Sequence, residues 1–535
     1  MATVELVFCH DCGDSEQSDR AVLIVGQLPH LHCLAWSDVR DILQSCVDEE
    51  TWEAALKSLK PNPTDRCPLW LKLATVAALP SKISRHNTPS SAHTLTRLVQ
   101  TCLPGRRNGH IMVACERTSV FASACAIARA FPLFSRQTGD DTLDKGHRVT
   151  VQFFCVEPNM EPLSTATLTC LSRVAESIRL TARIVDSPCN EMDTEQFLKE
   201  VGEEGAKLGI APVIIKGEEL RKRGFGGIYG VGSAAACPPA LAVLSHTPPT
   251  ATQTIAWVGK GIVYNSGGLM IKGKTVMPGM KRDCAGAAAV LGAFSAAVRQ
   301  GFKENLHAIF CLAENSVGPK ATRPDDILRL YSGKTVEIRN TDAEGRLLLA
   351  DGVMYACRDL KADIILDMAT LTTAQAAMVS VCCITSQGIA TGRYHAGLLT
   401  NREEWERACV AAGRSSGDLV QPLLFSPELH FSEFSSAMAD MKNFDRSNAL
   451  CSCGGLFVGA QLGFEWTGVW IHVDMAFPAY SGERATGYGV ALLLALFGGA
   501  TEDALLQLVS PLGPEMDAHS DGQPPRCNPK RRKLI

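Results

Sequence analysis

The stretch from 340 to 349, N-T-D-A-E-G-R-L-L-L, carries the groups with the clearest chemical potential. Asp342 and Glu344 stand two residues apart after a strand-like run over 335–338, and Arg346 follows at the start of an apolar, helix-like run. Open α/β sheets carry their sites at the carboxyl ends of strands. On an extended segment, side chains two residues apart point to the same side. The two carboxylates are therefore predicted to share a cation, and a solvated acidic turn is the alternative.

A second stretch lies upstream, over residues 258–272, and reads V-G-K-G-I-V-Y-N-S-G-G-L-M-I-K. Together the two stretches resemble the leucyl aminopeptidase (cytosol aminopeptidase) family of dinuclear metallopeptidases. Further matching stretches are 187–190, 367–372, 439–443 and 472–489. The resemblance covers nearly all of residues 180–500, and within the family the chain is most similar to a vertebrate branch of probable aminopeptidase-like proteins.

The resemblance implies two divalent metal ions, zinc or manganese, and peptide hydrolysis from a free N-terminus. Two such ions can activate a water and polarise the scissile carbonyl. A lysine can be a ligand only when its amine is neutral, so bound metal would have to depress its pKa. Carried over by position, the implied metal ligands are Lys260, Asn265, Asp283, Asp342 and Glu344.

Four further residues take roles from the same resemblance. Lys272 is expected to stay protonated and to stabilise the oxyanion of the tetrahedral intermediate. Arg346 matches an arginine that holds a bicarbonate ion acting as general base, a task that suits a planar guanidinium. Thr370 and Leu371 match a substrate-facing loop.

Several positions depart from the family pattern. The most serious is Asn265, where the family has an aspartate that bridges both metals, because an amide has only one acceptor oxygen and an NH2 donor. Asn265 could bind one metal but would bridge two poorly, so we expect weaker metal binding. Met270, Ala285 and Thr373 also differ from the pattern, and residues 376–387 look like an insertion beside the site.

Two alternatives to an active aminopeptidase follow. The departures favour a catalytically impaired aminopeptidase-fold protein that binds peptides or partners. Separately, Gly268 to Thr275 satisfies the phosphate-loop pattern G-x-x-x-x-G-K-[ST] of nucleotide triphosphatases. That motif must open a helix whose N-terminus faces phosphate, and Pro278 and Gly279 follow too soon for a good helix start. The nucleotide triphosphatase is therefore the remote alternative.

Composition limits the partners and the compartment. The 535 residues carry 52 Lys and Arg against 56 Asp and Glu, a net charge of -4 that argues against electrostatic binding to nucleic acid or membranes. The 21 cysteines show no framework of spacings and are predicted to be cytosolic free thiols. No secretory leader or membrane span is expected. We expect a cytoplasmic protein, while the basic run at 529–533 could direct nuclear import.

Alternating strand-like and helix-like runs predict an α/β protein with two domains, each with a central, mostly parallel sheet flanked by helices. Residues 1–187 are assigned to an N-terminal domain that ends in a connecting helix over 163–184. Residues 188–510 are assigned to the catalytic domain, and 511–535 to a disordered basic tail. The family resemblance further implies a homohexamer.

Overall fold

The computed structural model describes residues 4–10, 20–43, 47–71, 73–103, 108–138, 146–158, 161–372, 391–444 and 450–513. Thr373, the predicted insertion over 376–387 and the basic run at 529–533 lie outside the described residues. In the described part, the cysteines are free thiols. None of the helices described has the length and apolar character needed to cross a membrane.

Six strands form the N-terminal sheet: β1 (Val4–Phe8), β2 (Ala21–Gln27), β3 (Asp65–Trp70), β4 (Ala74–Leu79), β5 (Gly109–Cys115) and β6 (His147–Cys155). Their order across the sheet is β1-β6-β5-β2-β4-β3. Every neighbouring pair is parallel except β3 and β4. The predicted mostly parallel sheet is therefore confirmed in this half.

Among the described residues, six helices accompany this sheet: α1 (Leu28–Leu31), α2 (Trp36–Leu43), α3 (Glu49–Ser58), α4 (Ala92–Cys102), α5 (Val120–Ala130) and α6 (Thr165–Asp186). Helix α6 is the predicted connecting helix. Ser164 caps it by accepting a hydrogen bond from the Thr167 amide at 3.1 Å. The helix ends just before Pro188, because the residue ahead of a proline is pushed out of helical conformation.

In the part of the chain that the structure describes, eight strands form the larger sheet: β7 (Val213–Lys216), β8 (Ala240–His246), β9 (Thr254–Asn265), β10 (Asn305–Asn315), β13 (Ile364–Ala369), β14 (Ala396–Thr400), β15 (Val420–Pro422) and β17 (Val469–Asp474). Their order is β15-β14-β17-β13-β9-β10-β8-β7. The four central strands β17, β13, β9 and β10 are mutually parallel, and antiparallel strands flank them. Both sheets agree with the predicted α/β fold class.

The remaining elements surround the larger sheet. The helices are α7 (Thr194–Lys207), α8 (Glu218–Arg223), α9 (Gly226–Gly232), α10 (Ala285–Arg299), α11 (Gly345–Arg358), α12 (Glu403–Ser416), α13 (Pro427–His430), α14 (Leu450–Leu462), α15 (Val490–Leu496) and α16 (Ala504–Val509). A small sheet contains β11 (Ile327–Arg329), β12 (Thr335–Glu337) and β16 (Met441–Lys442), and a hairpin contains β18 (Tyr480–Ser481) and β19 (Arg484–Ala485). A 3-10 turn, Met280–Cys284, leads into α10.

Strand β9 is the central support of the site. Helices α10 and α11 pack on its two faces, and successive side chains of a strand point to opposite faces. Trp257 lies in the hydrophobic cluster that includes α10, whereas Val258 lies in the cluster that includes α11. The same alternation directs Lys260, two residues after Val258, toward α11. A strand buried on both faces thus delivers one charged side chain at a fixed place.

The two sheets share packing. One hydrophobic cluster runs from Phe8 to Val509 and includes residues of both sheets. Helix α6 joins them because it packs on α10, where the Thr181 hydroxyl donates to the Ala288 carbonyl at 3.0 Å. The domain boundary at 187 and 188 stays a prediction.

Asp351 of α11 connects this helix to neighbouring segments by hydrogen bonds. The same residue allows a test of the fold. This fully buried carboxylate accepts hydrogen bonds from the amides of Ile228, at 2.9 Å, and Tyr331, at 2.7 Å. Burial raises its pKa to about 7, although the backbone donors oppose the shift. The folded chain therefore holds this proton more tightly than the unfolded chain, so its stability falls as pH rises from about 4 to 7.

We expect the variant Asp351→Asn, which cannot ionise, to lose less stability than the native chain over this range. The difference in unfolding free energy between the two chains should change by on the order of 2 kcal/mol between about pH 5 and pH 7. Urea unfolding at several pH values measures it. The absolute stabilities need not match, since the amide presents an NH2 to a backbone donor. Parallel pH slopes for the two chains would contradict the assignment.

Candidate active site

Lys260 lies at the centre of a buried cluster at the carboxyl end of β9. Its side chain is 2% exposed, and its Nζ lies 2.9 Å from Asp283 Oδ1 and 3.0 Å from Glu344 Oε1. It also donates to the Thr370 carbonyl at 2.9 Å. An ammonium group has three N–H donors, so these three acceptors satisfy it. The close approach requires Gly345, because a Cβ there would lie 2.7 Å from Lys260 Cε.

The charges of the cluster shift its protonation equilibria. Burial alone would lower the pKa of Lys260, but the carboxylates of Asp283 and Glu344 outweigh burial and raise it well above the ordinary lysine value. Burial raises the pKa of Glu344 and of Asp342, and nearby lysines oppose both shifts. The positive charge of the Lys260 ammonium therefore stabilises several neighbouring carboxylates in a site that is largely shielded from water.

Asp283 is held by donors on both of its oxygens. It belongs to the 3-10 turn that precedes α10. Its Oδ1 accepts from Lys260 and from the Thr370 hydroxyl at 2.7 Å. Its Oδ2 accepts from the Asn265 side-chain NH2 at 2.9 Å. Donors from β9 and from the end of β13 thus converge on one carboxylate.

Asn265 is the last residue of β9, and the orientation of its amide is set by neighbours. Its Oδ1 accepts from the Gly267 amide and from the Asn315 side-chain NH2, each at 2.9 Å. Asn315 ends the adjacent strand β10 and also donates to the Thr341 carbonyl at 3.0 Å. The amide oxygen of Asn265 therefore faces these donors, and its NH2 faces Asp283.

The segment that carries Asp342 and Glu344 differs from the prediction. The strand before it, β12, belongs to the small three-stranded sheet rather than the central one. The carboxylates do not lie on an extended segment, since Glu344 is helical with φ −82° and ψ −36°. The reason is a turn in which Asn340 Oδ1 accepts the Asp342 amide at 2.8 Å. The predicted extended pair is wrong, although both side chains reach the cluster.

Asn443 fixes this turn from a distant part of the chain. Its Oδ1 accepts the amides of Arg339, at 2.8 Å, and Asn340, at 3.2 Å. Its Nδ2 donates back to the Asn340 carbonyl at 2.7 Å, and the side chain is fully buried. One amide side chain thus holds the backbone that presents Asp342 and Glu344.

Lys272 approaches Asp342 from the loop that follows β9. Its Nζ lies 2.6 Å from Asp342 Oδ1, and the lysine side chain is 7% exposed. Residues 274–276 of this loop form a turn, and the next helix, α10, begins only at Ala285. A phosphate loop needs a helix directly after its Lys-Thr pair, so the structure does not provide the context for a nucleotide triphosphatase.

Arg346 stands on the first turn of α11 and is 4% exposed. Its Nη1 donates to the Asn443 carbonyl at 3.0 Å, and its guanidinium lies 5.6 Å from the centre of the Phe444 ring. Burial lowers its pKa to about 10, so it remains charged at neutral pH. Within the described residues, its buried Nε has no hydrogen-bond partner. Such a group can accept an anion.

Thr370 and Leu371 follow β13 and are held by different partners. Thr370 contacts the cluster through its hydroxyl and carbonyl, as given above. Leu371 is held by Asp474 at the end of β17, whose Oδ1 accepts the Leu371 amide at 3.0 Å. Asp474 Oδ2 accepts the Thr372 amide at 3.1 Å and the Thr372 hydroxyl at 2.6 Å. Asp474 is fully buried and thereby anchors this loop.

The structure thus places most of the site residues proposed from the sequence in one cluster, with Arg346 on the first turn of α11 and Leu371 on the loop after β13, and it adds Asn315, Asn443 and Asp474. Asn315 and Asp474 both end strands of the central sheet, so the rule that sites lie at the carboxyl ends of strands could have pointed to them. Asn443 follows a two-residue strand of the small sheet and lies in the matching stretch 439–443, to which no role was assigned from the sequence.

The cluster fits a divalent cation only in part. Asp283 and Glu344 are buried and Asp342 is partly exposed, and all three are oxygen donors of the kind that hard cations bind. Across the described residues, however, no group of three or more His, Cys, Asp or Glu side chains has an arrangement that could hold a metal ion. The lysine ammonium lies between the carboxylates of Asp283 and Glu344. The metal ligands inferred from the sequence therefore stay predictions.

Comparison with known proteins decides the family. The model of the cytosol aminopeptidase family, catalytic domain, matches residues 179–494, and that of the M17 aminopeptidase N-terminal domain 2 matches residues 20–140. The chain belongs to the cytosol aminopeptidase family. It is 63% identical to the human probable aminopeptidase NPEPL1 over 537 residues, with 100% of both chains covered. The predicted resemblance to the vertebrate branch is thus confirmed.

Solved structures support the same assignment. The leucine aminopeptidase of Caenorhabditis elegans is 40% identical, with a TM-score of 0.87 over 94% of this chain and 100% of that one. The leucyl aminopeptidase of Trypanosoma brucei in complex with bestatin is 36% identical, with a TM-score of 0.79 over 92% and 95%. The chain is accordingly a hydrolase of the aminopeptidase class with their two-domain α/β fold.

The role of Asp474 as a loop anchor is testable. We expect Asp474→Ala to leave the amides of Leu371 and Thr372 without their buried acceptor. Hydrogen exchange at these two amides should accelerate at least about tenfold, since a lost buried hydrogen bond costs roughly 1–3 kcal/mol. Exchange mass spectrometry of the peptide that contains them measures this effect.

The matched control is Asp363→Ala. Asp363 accepts the Thr254 amide at 2.9 Å at the opposite end of the same sheet. This variant should destabilise the sheet locally without changing exchange at Leu371 and Thr372. Equal exchange of those amides in both variants would show that Asp474 does not hold the loop.

Proposed function

We propose that the chain hydrolyses N-terminal residues from peptides with the help of divalent metal, at the cluster around Lys260. One observation carries the proposal. Three carboxylates, two lysines and one arginine converge at the carboxyl end of β9 and the adjoining helix starts, inside a fold of the aminopeptidase family. The aminopeptidase class follows from the family, whereas the residue roles given below are our inference.

Zinc or manganese is the proposed metal, because oxygen-rich ligation with one amine suits either ion. When bound, such ions supply an activated water and a polarised carbonyl. Asp342 and Glu344 would hold metal, and the two-metal centre that the family resemblance implies would add Asp283, Lys260 and Asn265 as predicted ligands. The three carboxylates, of which Asp283 and Glu344 are buried, support metal binding, while the orientation of the Asn265 amide does not support a ligand there.

Lys272 is proposed to stabilise the oxyanion that forms when the peptide carbonyl is attacked. Its ammonium is nearly buried and held against Asp342, so its charge acts where water screens little. Fixed charges of this kind stabilise a developing negative charge without reorganising at the moment of reaction.

Arg346 is proposed to hold an anion, with bicarbonate as the candidate general base. The support is its buried guanidinium, charged at neutral pH, with an Nε that lacks a partner among the described residues. A planar guanidinium can donate two parallel hydrogen bonds to a planar oxyanion. The anion would then lie next to the carboxylate cluster, where it could accept a proton from water.

Thr370 and Leu371 are proposed to face the substrate. Both lie on the loop that Asp474 anchors, and Thr370 touches Asp283 directly. A peptide with a free N-terminus is the proposed substrate class. A homohexamer and a cytoplasmic location are further proposals, supported by the family and by relatives that carry the name cytosol aminopeptidase. Nuclear import stays a sequence-based expectation.

A second candidate function is peptide binding without efficient turnover. The favouring observation is that Lys260 forms ion pairs with both Asp283 and Glu344, so the protein itself offsets the charges of these carboxylates. A site that is electrostatically balanced in this way does not depend on metal for its structure. Hydrolysis of leucine amide separates the two candidates, since a binder would retain peptide affinity while turning over negligibly.

We expect Lys272→Met to lower kcat for leucine amide with added zinc or manganese by a factor on the order of 10² to 10³, because one fixed stabilising charge is lost. The matched control is Lys274→Met, two residues along the same loop, where the lysine is exposed. The control should retain activity within about twofold, as is usual for exposed positions.

Lys274 is also the lysine of the phosphate-loop pattern, so the remote alternative predicts ATP hydrolysis by the native chain that Lys274→Met abolishes. Loss of leucine amide hydrolysis in Lys274→Met but not in Lys272→Met would argue against the proposed role of Lys272. An N-acetylated leucine amide should not be cleaved by the native chain, because an aminopeptidase requires a free α-amine.

A further inference from the structure

We propose that Asn265 is a positioning residue for Asp283 rather than a metal ligand, and that the site accepts one divalent cation rather than two. The inference rests on the proposed metal-dependent function and defines the metal stoichiometry of that site. It follows from the direction in which the Asn265 amide points and from the donors that already occupy Asp283.

The amide of Asn265 has three polar contacts, and each assigns the same orientation. The Gly267 amide and the Asn315 NH2 both donate to Oδ1, while Nδ2 donates to Asp283 Oδ2. The side chain is 3% exposed. The oxygen that a metal would need is therefore directed at two N–H donors, and the group directed at the carboxylate cluster is an NH2.

Turning the amide over would not be tolerated. Nδ2 would then face the Gly267 N–H, a backbone donor that cannot rotate away, because Gly267 is held in a left-handed turn with φ of +91°. Asn315 could not turn with it, since its NH2 also donates to the Thr341 carbonyl and its oxygen would face that carbonyl oxygen. A buried donor set against another donor loses its hydrogen bond and is destabilising.

Asp283 is engaged in the same network. Its Oδ2 accepts from Asn265, and its Oδ1 accepts from Lys260 and Thr370. A cation that bridged the positions of Asn265 and Asp283 would have to displace all three donors and would meet an NH2. A carboxylate at 265 would instead offer an oxygen there while its other oxygen kept the donors Gly267 and Asn315.

Within the cluster, Asp342 and Glu344 accept fewer close hydrogen bonds from the described residues than Asp283 does, so they are more available to a cation. Asp342 pairs with Lys272. Glu344 pairs with Lys260, and its Oε2 receives a long contact of 3.5 Å from Asn315. We therefore assign the single cation to this side of the cluster, with Asn265 and Asp283 kept as a hydrogen-bonded pair.

The experiment counts metal on the full-length chain. Native protein, Asn265→Asp and Asn265→Ala are equilibrated with zinc or manganese, freed of unbound ion, and measured by elemental analysis and titration calorimetry. We expect one ion per chain for the native protein and for Asn265→Ala, with affinities within about threefold, and two ions for Asn265→Asp. Asp342→Ala should lose the single ion.

Two ions on the native chain, or loss of the ion in Asn265→Ala, would overturn the proposal and leave the metal-dependent function intact. No ion on any of the variants would instead overturn the metal-dependent function, and the one-ion assignment with it. Metal counting thus distinguishes failure of this inference from failure of the proposed function.

Thermal unfolding gives a readout independent of activity. The 265 side chain contacts Asp283 Oδ2 at 2.9 Å through a donor in the native chain, and Asn265→Asp would replace that donor by a second carboxylate oxygen. Like charges so close repel. The metal-free variant should therefore melt below the native chain, and added metal should raise its melting temperature by more. Equal metal-induced shifts in the two proteins would contradict the positioning role.

Discussion

The ammonium of Lys260 between two carboxylates is the interaction on which the site depends. A charged group buried to this extent is tolerated only when it is paired and hydrogen-bonded, and removal of one partner typically costs 3–5 kcal/mol. The surrounding backbone meets this requirement in detail. Gly345 leaves room for the lysine stem, and the Thr370 carbonyl takes its third proton. Asp283 precedes α10 and Glu344 precedes α11, so the same pairing links the starts of both helices to β9.

The fold produces this arrangement through one strand buried on both faces. Strand β9 lies between parallel neighbours β10 and β13, so the carboxyl ends of all three strands meet at one edge. Lys260 points toward α11 by alternation, and Asn265 ends the strand beside Asn315. The loop after β13 then reaches Asp283 through Thr370. Chemistry at this edge is therefore a consequence of strand order, with the helices α10 and α11 supplying the acidic residues at their starts.

Much of the fold and the residue types of the site followed from the sequence, because they depend on local patterns. Apolar runs predicted the strands, and N-T-D-A-E-G-R-L predicted the acidic segment and the start of α11. The predicted extended geometry of that segment was wrong, because the Asn340 side chain accepts a hydrogen bond from the Asp342 amide and closes a turn there. Strand alternation does not describe such a turn. Asn443 lies in the matching stretch 439–443, but its role was not predicted because it acts on a turn about 100 residues away. Hydrogen bonds that a single amide side chain makes to a distant part of the chain produce no periodic pattern in the sequence.

Asn265 shows how far one atom can alter such a site. With aspartate at this position, four carboxylates would face the ammonium groups of Lys260 and Lys272, and their mutual repulsion would make the cluster depend on bound cations. With asparagine, three carboxylates face the same two ammonium groups, and the amide joins Asp283 by a hydrogen bond instead of repelling it. The cluster is then close to neutral and fully hydrogen-bonded around Lys260. In an all-carboxylate site, the stability of the fold and the binding of metal would be tightly coupled, because a cation would have to offset the repulsion. In this chain the two become separable, because the Asn265 NH2 donates a hydrogen bond to Asp283 in place of a cation.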